Sequence, residues 1–152
     1  KRTFKKVYEM TDLFIDTDVI IDYITDRKPF ADDAEKLFAL IENNKIKGHT
    51  SSLCFSNLYY LLRQKLSRSK SISFLKDLAG ILNILKVDED SILQALDSDF
   101  KDFEDAIQYF TASDYKRIDV IVTRNIKDYK HSSLPVMTPD TMLKTYVQAL
   151  SS

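Results

Sequence analysis

Carboxylate side chains stand at the ends of apolar segments in this chain, and they are the main chemistry that the sequence offers. Asp16 follows a short apolar run, with Asp18 two residues later, and Asp128 comes shortly after another such run. Asp105 lies near the start of a segment with helical spacing. Carboxylate oxygens favour hard divalent ions such as Mg²⁺ or Mn²⁺. The pattern therefore predicts a metal site made of acids.

Each of these acids also has a purely structural interpretation. An Asp at the end of a strand is often the N-cap of the next helix, which would explain Asp16. Asp102 with Asp105 three residues later resembles a capping pair, and Asp128 alone is typical of a loop. The metal hypothesis rests on convergence, because in open parallel sheets ligands bind outside the carboxyl ends of the strands.

The rare residues exclude the other common sites. Gly48 and Gly80 are the only glycines, so no glycine-rich loop for dinucleotides or nucleoside triphosphates exists. His49 and His131 are too far apart for a His-Glu-x-x-His zinc motif, and the single Cys54 cannot form a thiolate cluster. Metal chemistry in this chain must use oxygen ligands.

Length and composition describe one globular domain. The chain has 152 residues, of which 44% are hydrophobic and 30% charged, with a net charge of −1. We expect a single domain over 1–152, with 1–11 as a flexible or edge segment. One cysteine and no long apolar stretch lead us to expect a cytoplasmic protein without a membrane segment.

Short apolar runs alternate with segments of helical spacing. The runs predict strands at 13–15, 49–53, 84–87 and 120–122 and an edge strand at 135–137. Helices are predicted over 19–28, 34–41, 53–66, 72–82, 91–97 and 102–112 and from 139 onward, with a polar break at 67–73. This alternation predicts an α/β fold with three layers, α/β/α, around a central parallel sheet of four to five strands.

The near-zero net charge averages over segments of opposite sign. The segment 61–76 carries five basic residues and no acid, whereas 86–105 is strongly acidic. Cations beside a metal site suit a phosphodiester substrate, so Arg63, Lys65 and Arg124 are candidate contacts to a nucleic-acid backbone. The alternative is that 63–70 is simply a solvated helix end.

Four motifs in this order resemble the PIN domain family. They are the segments 13–22 (LFIDTDVIID), 27–30 (RKPF), 102–108 (DFEDAIQ) and 120–129 (VIVTRNIKDY). The resemblance covers about 13–143 and implies a PIN-like fold. It also implies a Mg²⁺- or Mn²⁺-dependent ribonuclease, as in the VapC-type toxins of bacterial toxin–antitoxin pairs.

The resemblance also implies site residues. Asp16, Asp105 and Asp128 match the acids that would bind the metal and carry out catalysis. The supporting positions are Asp18, Asn57, Asp102, Thr123 and Asn125. One departure concerns Asn57, which stands where the family usually has a Glu. Its amide oxygen can still bind Mg²⁺ or orient a water molecule, but it contributes no charge.

The implied partners are RNA and a small antitoxin protein, and we also expect a homodimer. Aromatic candidates for interfaces are Tyr8, Phe30, Tyr59, Tyr60 and Tyr146, although core packing explains most of them equally well. Two alternatives remain open. In the first, the chain is a PIN domain that has lost catalytic strength and binds RNA or protein. In the second, it uses the same acids as a phosphatase or DNA nuclease.

Overall fold

A computed structural model describes residues 12–151, which form five strands and seven α-helices. The strands are β1 (Asp12–Ile15), β2 (Lys47–Ser51), β3 (Leu82–Leu85), β4 (Val120–Val122) and β5 (Val136–Met137). The helices are α1 (Thr17–Thr25), α2 (Ala31–Glu42), α3 (Ser52–Arg63), α4 (Arg68–Ile81), α5 (Glu89–Leu96), α6 (Phe103–Asp114) and α7 (Pro139–Ser151). A short 3-10 helix covers Ile126–Tyr129.

The strands form one all-parallel sheet in the order β3-β2-β1-β4-β5. Phe14 of β1 pairs with His49 of β2 on one side and with Ile121 of β4 on the other. The chain leaves β1 toward β2 and β3 and returns to the other side at β4. The gap between the ends of β1 and β4 is thus the topological switch point at which such sheets bind ligands.

Alternation along the central strands divides the core between the two faces of the sheet. Leu13 and Ile15 pack into the larger apolar cluster with helices α1, α2, α3, α4 and α7. Phe14 faces the other way and packs with Tyr109 and Ala112 of α6. Successive strand residues point to opposite faces, so a strand covered on both sides is apolar throughout. The predicted three-layer fold is confirmed, with five strands.

Several predicted boundaries were wrong by two or more residues. β2 and β3 each begin two residues earlier than expected, and 67–73 is not a break, because α4 starts at Arg68. The break was predicted because serines near the start of this helix were interpreted as loop residues. The Ser51 and Ser67 side chains accept hydrogen bonds from Cys54 and Lys70, so each caps a helix instead of interrupting one.

Residues 1–11, expected to be a flexible or edge segment, lie outside the described residues, and so does Tyr8. The single-domain assignment for 1–152 accordingly stays a prediction. Among residues 12–151, no helix has the length and apolar character needed to cross a bilayer.

Candidate active site at the carboxyl edge of the sheet

Asp16 lies at the switch point and joins the two central strands. Its backbone N–H donates to Val122 O over 2.9 Å, extending the pairing of β1 with β4. Its carboxylate Oδ1 accepts from the Thr17 N–H at 2.8 Å, as expected of the N-cap of α1. The capping interpretation of Asp16 is therefore confirmed, and its role in a metal site stays a prediction.

The second oxygen of Asp16 is held by two hydroxyl groups. Thr123 Oγ1 donates to Oδ2 at 2.9 Å, and the Tyr129 hydroxyl donates at 3.1 Å. Asp16 is only 8% exposed, and this burial raises its pKa against the opposing effect of the hydrogen bonds. Burial and the Asp16 charge also raise the pKa of Tyr129, so its hydroxyl keeps its proton and acts as a donor.

Asp18 has one satisfied oxygen and one orphaned oxygen. Its Oδ2 accepts from the Arg124 N–H at 3.1 Å and from Asn125 Nδ2 at 3.2 Å, with Thr123 Oγ1 at 3.3 Å. Its Oδ1 is buried and has no hydrogen-bond partner among residues 12–151. Burial, followed by the nearby Asp16 charge, raises the Asp18 pKa to about 6. A buried carboxylate oxygen without a partner is what a cation ligand presents when no cation is bound.

Asp105 occupies the first turn of α6. Asp102 caps this helix, because its Oδ1 accepts a hydrogen bond from the Asp105 N–H at 2.9 Å. Partial burial raises the pKa of Asp105 to about 7, with further contributions from the charges of Asp16, Asp102 and Asp128. Asp102 is thus the helix cap that the structural interpretation predicted, and it also adds charge to the site. Asp128 is exposed on the 3-10 helix, in the same cleft as Asp105.

Glu104 is a site acid that the sequence reasoning missed. Its charge raises the pKa of both Asp16 and Asp105. Asn57 supplies no such charge from α3, and its Nδ2 is buried without a partner in the part of the chain that the structure describes. The signal for Glu104 was present in the segment 102–105, where three acids occupy the cap and first turn of one helix.

A ring of buried and partly buried hydrogen bonds links helices α1, α3 and α6. The Cys54 N–H donates to Ser51 Oγ, which donates to Gln108 Oε1 in a very short hydrogen bond. Gln108 Nε2 contacts Thr17 Oγ1 at 3.5 Å, and that hydroxyl donates to Cys54 Sγ at 3.2 Å. Thr17 neighbours Asp16, and Gln108 lies one turn after Asp105, so the ring fixes α1, α3 and α6 relative to one another.

Arg124 is held between a buried carboxylate and an aromatic ring. Its Nε donates to Asp22 Oδ2 at 2.6 Å, and Asp22 is 1% exposed. The guanidinium carbon lies 4.2 Å from the centre of the Phe30 ring. An arginine held by a buried carboxylate and an aromatic ring has little freedom to follow a substrate. The geometry gives its side chain a clamping role between α1 and the loop after β4.

The other two predicted backbone contacts lie away from the acids. Arg63 is the last residue of α3, a helix of twelve residues that starts at the carboxyl edge of the sheet and therefore ends about 16 Å from it. Lys65 lines a separate groove formed with residues of α1 and α4, such as Ile21 and Phe74. Their proposed contact with nucleic acid stays a prediction.

The aromatic candidates occupy different environments. Tyr60 is 68% exposed, and Tyr59 packs edge-on against it with ring centres 5.8 Å apart. Tyr146 is partly buried against the larger core cluster, and Phe30 lies under Arg124. Among the described aromatics on this short list, Tyr60 is the one best exposed for an interface.

The donor set fits a hydrated Mg²⁺ or Mn²⁺ ion. Within residues 12–151, no three His, Cys, Asp or Glu side chains converge closely enough to enclose an ion. Mg²⁺ does not need such a cage, because it retains several waters and uses one or two carboxylates together with substrate phosphates. The orphaned Asp18 Oδ1 and the burial of the Asp16 and Asp105 carboxylates, which raises their pKa values, are the features that a cation would relieve.

Comparison with known proteins identifies relatives of this chain. Ribonuclease VapC1 from Aquifex aeolicus (strain VF5) is 27% identical over 133 residues, which is 84% of this chain and 90% of the relative. A DNA-bound VapBC from Salmonella typhimurium has a TM-score of 0.64 at 17% identity, covering 85% of this chain and 98% of the other. A toxin–antitoxin complex from Klebsiella pneumoniae has a TM-score of 0.62 at 21% identity, covering 84% and 97%.

These two structural neighbours share the fold of this chain. The family profile described as PIN domain matches residues 12–127, which includes β1, Asp16, Asp105 and the segment after β4. The match spans well over half of the sequence and contains Asp16, Asp18, Asp102, Asp105 and Thr123, whereas Asp128 and Tyr129 lie just beyond it. The chain therefore belongs to the PIN domain family.

Proposed function

We propose that this protein is a divalent-metal-dependent endoribonuclease and the toxin component of a bacterial toxin–antitoxin pair. The observation that carries the proposal is the group of carboxylates at the switch point. Burial raises the pKa values of Asp16, Asp18 and Asp105, and the Asp16 charge adds to this effect at Asp18 and Asp105. Such a group is unfavourable by itself and suits a site for a divalent cation. The 27% identity to a protein named a ribonuclease supports RNA as the substrate.

The chain's own residues would hold and orient the site. Thr123 and Tyr129 fix one oxygen of Asp16, so this carboxylate presents a set direction to the cleft. Asp18 would offer its unpartnered oxygen, and Asp105, with a pKa of about 7, would be available as a carboxylate ligand near neutral pH. When bound, Mg²⁺ or Mn²⁺ would lower the pKa of a water molecule and stabilise negative charge on the phosphate. Asp128, which is exposed on the 3-10 helix, would contact the ion directly or through water.

The partners belong to the same proposal. Two structural neighbours are described as a VapBC complex and a toxin–antitoxin complex, which supports a small antitoxin as a partner of this chain. We propose a homodimer as the working form and the cytoplasm, where RNA is available, as its location. Size determination with and without a co-expressed antitoxin tests both partners.

The direct test compares the parent chain with Asp16→Asn. Purified protein is incubated with structured and single-stranded RNA in Mg²⁺, in Mn²⁺ and in chelator. We expect cleavage by the parent with either metal and a loss of at least a hundredfold in the variant, with the melting temperature of both proteins recorded as the folding control. Equal cleavage rates in the two proteins contradict the proposal.

Asn57 favours a second candidate, a binding module with weak or no catalysis. The helix that usually supplies an acid supplies an amide here, which lowers the negative charge available to a cation. Titration with Mn²⁺ distinguishes the two candidates. A melting temperature that does not change in millimolar Mn²⁺, together with intact RNA binding, supports the module. Cleavage of DNA or phosphomonoesters in a substrate panel would instead support the phosphatase or DNA nuclease interpretation.

A further inference from the structure

A cleft of about 350 Å³ lies beside the acids at the carboxyl edge of the sheet. Asp102, Asp105 and Asp128 form its acidic side. The remaining lining residues are Phe100, Lys101, Lys127, Lys130 and His131. Basic side chains thus border the candidate metal site directly, although none of them belongs to the basic segment that the sequence singled out.

The three lysines of the cleft carry exposed positive charge without a carboxylate partner. Lys101, Lys127 and Lys130 form no ion pair with any residue in the part of the chain that the structure describes. Lys28 and Lys144, by contrast, each pair with an aspartate. Lysine amino groups close to acids but unpaired with them are available for an anionic ligand.

The 3-10 helix explains how one short segment serves both sides of the cleft. Lys130 directly follows the 3-10 helix, and its backbone N–H donates to Lys127 O at 3.4 Å, which continues the turn. Residues three apart in such a turn lie on the same side, and this places Lys127 and Lys130 together. Tyr129 points inward and donates to Asp16, while Asp128 faces the cleft. The segment 127–130 therefore holds Asp16 through the Tyr129 hydroxyl and contributes Lys127, Asp128 and Lys130 to the lining of the cleft.

Two rings form the apolar part of the lining. The centres of the Phe100 and His131 rings are 5.9 Å apart, and Phe100 also stacks on Tyr109 with centres 5.2 Å apart. These contacts hold Phe100 in place. Flat side chains next to cations are typical of surfaces that bind single-stranded nucleic acid, where bases stack and phosphates are neutralised.

We propose that this cleft binds the single-stranded RNA segment next to the cleaved bond, with phosphates on Lys101, Lys127 and Lys130 and a base against Phe100 and His131. The proposal rests on the ribonuclease function proposed above. Phosphates flanking the reacting one approach several carboxylates, and they need cations that reach the cleft. Arg63, at the end of α3, and Lys65, beyond that end, lie too far from the cleft to supply that charge.

The test measures RNA binding without cleavage, by fluorescence polarisation of a labelled single-stranded oligonucleotide in chelator across a range of salt concentrations. The cleft variant is K101A/K127A/K130A. Its matched control is K36A/K45A/K47A, which removes the same charge from exposed positions on α2, on the following loop and at the amino end of β2. A third variant, R63A/K65A, tests the competing basic segment.

We expect the cleft variant to bind at least tenfold more weakly than the control variant. Its slope of log affinity against log salt should fall by about 2 in magnitude, since each phosphate contact to a single strand contributes about 0.7. The shift in melting temperature with Mn²⁺ should be similar in both variants, because the acids are intact.

The other outcomes separate this proposal from the one that it rests on. A parent that neither binds nor cleaves RNA overturns both. A parent that cleaves RNA, with a cleft variant that binds as well as the control, overturns the cleft alone. A loss confined to R63A/K65A also overturns it and moves the RNA path to α3. Single lysine variants repeat the measurement if the triple variant has a lowered melting temperature.

Discussion

The Tyr129 hydroxyl donates to Asp16 Oδ2 across 3.1 Å, so the 3-10 helix after β4 holds the first acid after β1. The two residues are 113 positions apart in sequence. Tyr129 is almost wholly buried, and its other neighbours are apolar residues of the smaller core cluster. The position of the acid therefore depends on the packing of a core residue.

Removing this hydroxyl should weaken the site more than the fold. Tyr129→Phe deletes one donor to a buried carboxylate, at a cost of about 1–3 kcal/mol in unfolding free energy. Tyr109→Phe is the matched control, because its hydroxyl contacts Ser133 away from the acids. Urea unfolding should show a loss in both variants, whereas only Tyr129→Phe should change the stabilisation by Mn²⁺. Identical Mn²⁺ responses in the two variants would refute a role for Tyr129 at the site.

The raised pKa of Asp105 predicts how stability depends on pH in chelator. Its folded-state pKa of about 7 exceeds the ordinary value of 3.8, so the folded state holds the proton more tightly than the unfolded state does. The stabilising contribution is therefore present at low pH and is lost as pH rises from about 4 to about 7.

Asp105→Asn should make this part of the profile flatter and raise the melting temperature at pH 8. Asp140→Asn, at an exposed aspartate paired with Lys144, is the control and should leave the slope unchanged. The measurement is the melting temperature in chelator between pH 4 and pH 8. A parent profile that rises across this range is inconsistent with the predicted shift.

Restoring an acid on α3 should strengthen metal binding. Asn57→Glu adds a carboxylate where the Nδ2 of Asn57 is buried without a partner. We expect a lower melting temperature in chelator, because another negative charge enters a crowded site, and a larger increase with Mn²⁺. Asn57→Gln has nearly the same size without the charge and should show neither effect. A Glu variant that responds to Mn²⁺ like the Gln variant would place residue 57 outside the site.

The Gln108 side chain should be needed for both stability and cleavage. Gln108→Leu leaves the buried Ser51 hydroxyl without its acceptor, at a cost of about 1–3 kcal/mol. It also releases Thr17 beside Asp16. Gln94→Leu removes an exposed glutamine that contacts Asp114 and serves as the control. RNA cleavage measured well below the melting temperature should fall in Gln108→Leu only.

The pair between Arg124 and Asp22 should be a large stability determinant. Arg124→Met leaves the buried Asp22 charge without its partner, and we expect a loss of about 3–5 kcal/mol in unfolding free energy. The double variant Asp22→Asn/Arg124→Met should recover much of this loss, because no unpaired charge remains. Urea unfolding of the four proteins gives the coupling free energy. Additive losses in this cycle would show that the two side chains do not interact.

Local sequence patterns were enough to predict the fold class and to place the acids at strand ends and helix starts. Apolar runs such as 120–122 predicted the buried parallel strands, and Asp16 and Asp105 were identified because residues at strand ends and helix starts converge in such folds. Asp102 was also interpreted correctly as a helix cap, since capping depends on residues within one turn. Serine caps were missed, because a polar run is also typical of a loop.

Tertiary structure alone decided which distant side chains meet. Three features join segments that are distant in sequence, so no local pattern could predict them. They are the Ser51–Gln108 contact, the burial of Asp22 beneath Arg124 and the lysines of the cleft. The reason is physical: a helical or strand pattern specifies which face of an element is buried, but not which element covers it. The strand order β3-β2-β1-β4-β5 supplies that information and brings β4 and the 3-10 helix to Asp16.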